Sequence, residues 1–177
     1  MNDAEEKRSL AVSEDSNRDA DLEADAIIKK HMGFAMAGGA IPVPVVDLAA
    51  VTAVQLDLLK QLAAHYEVDF ESRSARAFLI SLTAALAGSS VARIGASLLK
   101  TVPGIGTLGG GVAQIILTGA STYAVGSLFK RVFREGNGLD ALDMDVVREE
   151  VLEYLEKGKE RAAKLWTGLR DQDDGHG

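Results

Sequence analysis

The sequence predicts an all-α fold, a bundle of five to six helices, on three observations. Apolar residues recur at three- and four-residue spacing in block after block, the period of a helix with one buried face. Proline and glycine punctuate those blocks at Pro42 and Pro44, at Pro103 and Gly104, and at Gly136 and Gly138, where helices stop and start. No stretch alternates apolar and polar residues as a half-buried strand would.

Residues 1–20 are charged, rich in Ser, Asn and Asp, and without apolar period, which predicts a disordered acidic arm. An apolar helical domain is expected over 21–134. Its first helix runs from about 20 to 38 on Leu22, Ala26, Ile27 and Met32, and is stopped by Gly38, Gly39, Pro42 and Pro44. Pro44 opens the second helix, where its missing N–H costs nothing, and Asp47 falls near the positive end of the helix dipole. That position accounts for Asp47 without a catalytic role. Val45, Leu48, Val51, Leu56, Leu59, Leu62 and Ala63 carry the helix to about Tyr66, with Asp57, Lys60 and Gln61 on a wet face.

Ser72 or Ser74 is positioned to cap a third helix, whose uncharged run is Ala77 to Ala92. Helical spacing resumes through Val91, Ile94, Leu98 and Leu99, with Lys100 at the carboxyl end and Pro103 just beyond it. A further helix is expected to end near Arg134. Residues 135–142 read as a linker around Gly136 and Gly138. An amphipathic charged helix is expected over 143–168, capped by Asp143, with an apolar stripe on Met144, Val147, Val151, Leu155, Ala162, Leu165 and Trp166. Glu153 with Lys157, and Glu160 with Lys164, have the spacing of favourable pairs. Residues 169–177 read as a disordered tail.

With 47% apolar and 5% aromatic residues, the core must be built from Ala, Leu, Val, Ile and Gly. The absence of cysteine excludes disulfides and thiolate chemistry. The first 26 residues lack an apolar segment, which predicts no secretory signal. The net charge of −7 is uneven. Residues 1–26 hold nine acids and three bases, 27–133 five acids and nine bases, and 134–177 twelve acids and seven bases. A mildly basic apolar centre between acidic arms suits anionic lipid better than nucleic acid, which calls for dense basic runs with aromatics.

The stretch Thr101 to Phe129 carries no charge. Its Gly104, Gly106 and Gly109 match G-x-G-x-x-G, but a helix precedes them and no acid follows before Glu135. A dinucleotide site needs a strand before the glycines and an acid about 20 residues on. No cofactor is expected, no metal set is legible around His31 or His65, and no catalytic residue is assigned. The glycines read instead as steric. Gly106, Gly110, Thr118, Thr122 and Gly126 form a four-residue ladder interrupted by Gln114, and Gly88, Ala92 and Ala96 form a second. Small residues at that spacing let helices approach closely, in lipid or in water.

A membrane-spanning helix needs about 20 mostly apolar residues. Ile105 to Phe129 supplies 25, six of them glycine. Lys29, Lys30, Lys100, Lys130 and Arg131 flank the uncharged blocks as headgroup anchors would. Two readings stand on this evidence: a membrane-associated domain that self-associates through its small-residue faces, and a soluble helical adaptor.

Two blocks also carry a resemblance. Ile28 to Ala50 (IKKHMGFAMAGGAIPVPVVDLAA) is one; Leu98 to Thr107 (LLKTVPGIGT) with Thr118 to Gly126 (TGASTYAVG) is the other. Together they resemble the bacterial YcjF-type, GTPase-associated domain family, which has no assigned function and no catalytic residues to transfer. The resemblance spans roughly 26–134. It implies a membrane protein, often joined to a GTPase domain. This chain departs from that pattern in having only short acidic arms beside the match, so a GTPase would be met in trans. The expected partners are membrane lipids, a second copy and such a GTPase, at the bacterial inner membrane or its cytoplasmic face, or in the cytoplasm for the soluble adaptor.

Overall fold

The computed structural model describes residues 3–38, 44–87, 109–139 and 142–174. Among them are five helices and no strand: α1 (Asp3–Gly38), α2 (Pro44–His65), α3 (Ser72–Ala87), α4 (Gly109–Arg134) and α5 (Met144–Asp174). The expected positions Gly88, Ala92, Ala96, Lys100, Pro103, Gly104, Gly106 and Pro42 lie outside the described residues.

α4 is the centre of the bundle. Ile115, Ile116, Ala120, Ala124, Val125, Leu128, Phe129, Val132 and Phe133 are all buried, so the helix is covered on most of its circumference. Contacts at its ends set the packing sense. Lys130 meets Asp21 and Gly119 faces Met36, so α1 runs antiparallel to α4. Arg131 meets Glu150 and Gly119 faces Ala162, so α5 does too. α2 packs on α1 and α4 through Leu58, Leu59, Leu62 and Ala63, each fully buried. α3 lays Ala75, Leu79 and Leu82 into the same core, and Phe78 meets Phe129 edge-on at 5.4 Å.

Local chemistry sets the helix ends. Pro44 is the first residue of α2. At its far end Glu67 takes a left-handed φ of 55°. The Val68 N–H then donates to the Ala63 carbonyl at 2.9 Å and Glu67 N–H to that of Ala64 at 3.4 Å, a Schellman cap built without glycine. α4 ends the same way with the usual residue. Gly136 has φ 72°, and Asn137 N–H reaches the Val132 carbonyl at 3.1 Å. The Asp143 carboxylate accepts the Asp145 N–H at 2.9 Å and caps α5. At α3 the Glu71 carbonyl takes the Ala75 N–H at 3.0 Å, so Glu71 occupies the cap position, and Ser74 donates its hydroxyl to the Glu71 carboxylate.

Three features differ from the sequence reading. α1 begins at Asp3, where a disordered arm over 1–20 is expected. No glycine precedes Gly33 and no proline precedes Pro42. Ala, Glu, Leu, Lys and Arg sustain a helix by propensity even without an apolar period in the sequence, and 15–19 are exposed. α5 likewise continues through 169 to Asp174, into the expected tail. The helix set apart at 143–168 shares one core with 21–134: Val147, Val151, Leu155 and Ala162 are buried against the rest. Most of its apolar face is therefore occupied within the chain, which leaves its charged face and the exposed Leu169 near its end open to a partner.

Candidate functional site

The described part of the small-residue ladder faces inward. Thr122 is fully buried and Thr118 nearly so. Each hydroxyl donates one turn back, Thr122 to the Thr118 carbonyl at 3.0 Å and Thr118 to the Gln114 carbonyl at 2.9 Å, so neither needs a partner outside the helix. At Gly126 a methyl group would lie 2.9 Å from Ile28 Cγ1 and 3.1 Å from Leu58 Cδ2. This edge of α4 meets α1 and α2 of its own chain. Gly110 is the second residue of α4. Two glycines outside the ladder sit at equally tight crossings. A methyl at Gly119 would press on Met36, and one at Gly158 would lie 2.7 Å from the Ala120 carbonyl oxygen.

The expected headgroup anchors divide into two sets. Lys130 donates to the Asp21 carbonyl and to Asp25 Oδ1, both at 2.9 Å. Arg131 grips Glu150 with two bonds, Nε to Oε1 at 2.6 Å and Nη2 to Oε2 at 2.7 Å. Arg134 reaches Asp21 at 3.0 Å. These cations are spent tying α4 to α1 and α5, because the helical α1 brings its acids alongside the end of α4. Lys29 and Lys30 are exposed. The Lys30 ammonium lies 5.7 Å from the centre of the exposed Phe34 ring.

His31, beside those lysines, is 1% exposed. Its Nδ1 donates to the Ile27 carbonyl at 2.8 Å, and its Nε2 lies 3.0 Å from Asp57 Oδ2. Gln61 donates to the same carboxylate oxygen at 2.8 Å. The His31 hydrogen bond, opposed by desolvation, holds the Asp57 carboxyl below the usual range. The signal was present in the spacing: Ile28, Met32, Ala35 and Met36 are all buried, and His31 falls on their side of the helix. At the other end His65 bonds the Ala20 carbonyl at 2.8 Å. Tyr66 donates to Asp21 at 3.2 Å, and burial, with Asp21 adding to it, pushes its phenol up to about 12. These polar groups act as ties between helices. Among the described residues no three His, Asp or Glu converge as metal ligands.

One concavity combines charge with apolar surface. α1 and α5 flank α4 and leave between them a groove of about 560 Å³. Lys29, Arg161 and Lys164 line it with Met32, Leu165 and Leu169, and Asp25 lies at its edge. The Arg161 guanidinium sits 4.9 Å from the centre of the Tyr123 ring. Glu153 and Lys157 pair at 2.6 Å as their spacing predicts. The Glu160–Lys164 pair is not among the ion pairs of the described residues, and Lys164 lines the groove instead.

α4 is the one described helix with the length and apolar composition to cross a membrane, over Gly111–Arg134, and 72% of its most apolar stretch is buried inside the bundle. The chain is 34% identical over 146 residues to "Magnetosome membrane protein 22" of Magnetospirillum gryphiswaldense, an alignment covering 82% of this chain and 75% of that protein. No solved structure matches it. The sequence profile of a domain of unknown function, DUF697, matches residues 3–160. An all-helical chain matched along that length belongs to the DUF697 family.

Proposed function

We propose that this chain is a non-enzymatic, membrane-associated helical bundle that docks on a bilayer with α4 still in its core. The observation that carries the reading is the pairing of α4's span-like composition with the name of the relative, a magnetosome membrane protein. Peripheral docking is favoured over insertion by what surrounds α4. Its flanks are covered by α1, α2 and α5, and the cations at its end are held by Asp21, Asp25 and Glu150. Moving α4 into lipid would break those ion pairs and strip the apolar faces of three helices, whereas docking breaks none of them. Lys30 over Phe34 supplies an exposed cation and aromatic side by side, the combination found where proteins meet headgroups. The proposed location is the cytoplasmic face of a bacterial inner membrane, whose anionic lipids attract such cations.

Self-association and a GTPase met in trans remain part of this proposal only at the outer surface. Thr118, Thr122 and Gly126 face the chain's own core, so the charged face of α5 is the surface offered to a protein partner. Light scattering on the purified chain reads the first directly.

Fractionation tests the membrane reading. The protein is expected to sediment with membranes after gentle lysis and to be released by a carbonate wash. Retention through carbonate would overturn docking with α4 in the bundle. A fully soluble distribution before any wash would overturn membrane association itself.

A further inference from the structure

We infer that the groove between α1 and α5 seats one anionic phospholipid. Lys29, Arg161 and Lys164 hold its phosphate, and the start of an acyl chain lies along Met32, Leu165 and Leu169. The inference rests on the membrane reading above and names the lipid chemistry the bundle recognises.

Charge is the first support. The groove's acid, Asp25, is already engaged by Lys130 at 2.9 Å on the α4 side. Lys29, Arg161 and Lys164 form no ion pair among the described residues. Among the described residues three cations thus stand around the groove with no free anion to answer them, which calls for an anionic occupant. Arg161 is also positioned: stacking on Tyr123 at 4.9 Å restrains a fork whose geometry suits phosphate oxygens.

The apolar side of the groove is the second support. Met32 is buried at its floor, while Leu169 is 50% exposed at its rim. The strip therefore runs from the core outward to solvent, as a seat for an amphiphile should. Its volume of about 560 Å³ falls in the range of small-molecule sites, about 300–1,000 Å³, enough for a headgroup and part of one chain. A free anion would leave the apolar strip wet, and an acidic peptide would have no use for a strip opening at its rim.

Gly168 supplies the test. It lines the groove, and a methyl group added there meets nothing within 4 Å. Gly168→Glu therefore places a carboxylate among the three cations without disturbing the fold, which circular dichroism and a thermal melt verify. The probe is dihexanoylphosphatidylglycerol below its micelle concentration, followed by fluorescence of Trp166, the chain's one tryptophan, next to Leu165. Controls are dihexanoylphosphatidylcholine and glycerol phosphate.

The expected result is saturable binding of the phosphatidylglycerol, weakened about tenfold or more by Gly168→Glu and similarly by joint replacement of Lys29, Arg161 and Lys164 with Gln. Equal binding by the folded Gly168→Glu chain, equal binding of the choline lipid, or saturation by glycerol phosphate alone would each overturn the inference. So would a dimer that Gly168→Glu abolishes in a chain indifferent to the lipid, which would place a second copy's acidic arm in the groove. Vesicle flotation separates the two levels of the argument. A chain that floats with phosphatidylglycerol vesicles but ignores the short-chain lipid loses the groove and keeps the membrane reading. A chain that does neither loses both.

Discussion

Gly158 and Gly168 lie on the same helix, and replacing each with alanine should move stability in opposite directions. The added methyl is worth about 1 kcal/mol in helix propensity at an interior position. At Gly168 it meets nothing within 4 Å, so most of that gain is kept, roughly 0.5–1 kcal/mol given its place near the helix end. At Gly158 the methyl would lie 2.7 Å from the Ala120 carbonyl oxygen, 3.0 Å from Ala120 Cα and 3.0 Å from Tyr123 Cδ1. The first two are backbone atoms of α4, which cannot swing aside as a side-chain end can. Relief requires α5 to lift from α4 along the bundle's most extensive helix contact. Overpacking of this kind costs about 1–3 kcal/mol, and the rigid obstacle puts Gly158 toward the upper end, for a net loss of about 1–2 kcal/mol. The two variants should then differ by about 1.5–3 kcal/mol, or roughly 3–12 °C in melting temperature for a chain of this size. Thermal melts with urea titrations on both proteins measure the difference. If Gly158→Ala proves as stable as Gly168→Ala, the close α4–α5 crossing is wrong.

The Schellman caps give a second opposed pair: Glu67→Gly should gain about 0.5–1 kcal/mol and Gly136→Ala should lose about 1 kcal/mol, read as shifts in urea midpoint. Arg131→Lys keeps the charge but cannot make the two-bond grip on Glu150; it should lose about 1 kcal/mol, and the loss should vanish in a Glu150→Gln background. The half-buried Tyr66 phenol, raised to about 12, keeps its proton in the folded chain where the unfolded chain loses it near pH ~10. Its contribution is whole below about pH 10 and is lost as pH climbs toward 12. Tyr66→Phe should therefore flatten that part of the alkaline stability curve, measured by urea midpoints across it.

Helix boundaries set by special chemistry were legible in the sequence. Pro44 starts α2, Gly136 stops α4 and Asp143 caps α5, because each acts through its own backbone or side chain. The start of α1 was not legible, since a charged stretch with helix propensity but no apolar period reads as a solvated arm. Four-residue spacing singled out Thr118, Thr122 and Gly126, but it has the same form whether the covering helix belongs to this chain, another copy or none. The contacts at Gly126 are with Ile28 and Leu58, residues 98 and 68 positions away in sequence. Lys130 and Arg131 were readable as flanking cations; their partners Asp21, Asp25 and Glu150 became visible only once the arms were folded against α4. The groove is a further consequence of tertiary placement, because Lys29 and Lys164 come together only through two helices that each pack on a third.

In docking, α4 stays in the bundle when the protein meets lipid. Hydrogen exchange of the chain bound to phosphatidylglycerol vesicles tests this most directly, read at the amides of α2 around Leu58 to Ala63, which lie in the core shared with α1 and α4. The expected result is the same protection there as in the lipid-free protein, with added protection confined to α1 near Lys29 and α5 near Lys164. Faster exchange across α2 on binding would show that α4 had left for the bilayer, and would contradict docking with the bundle intact.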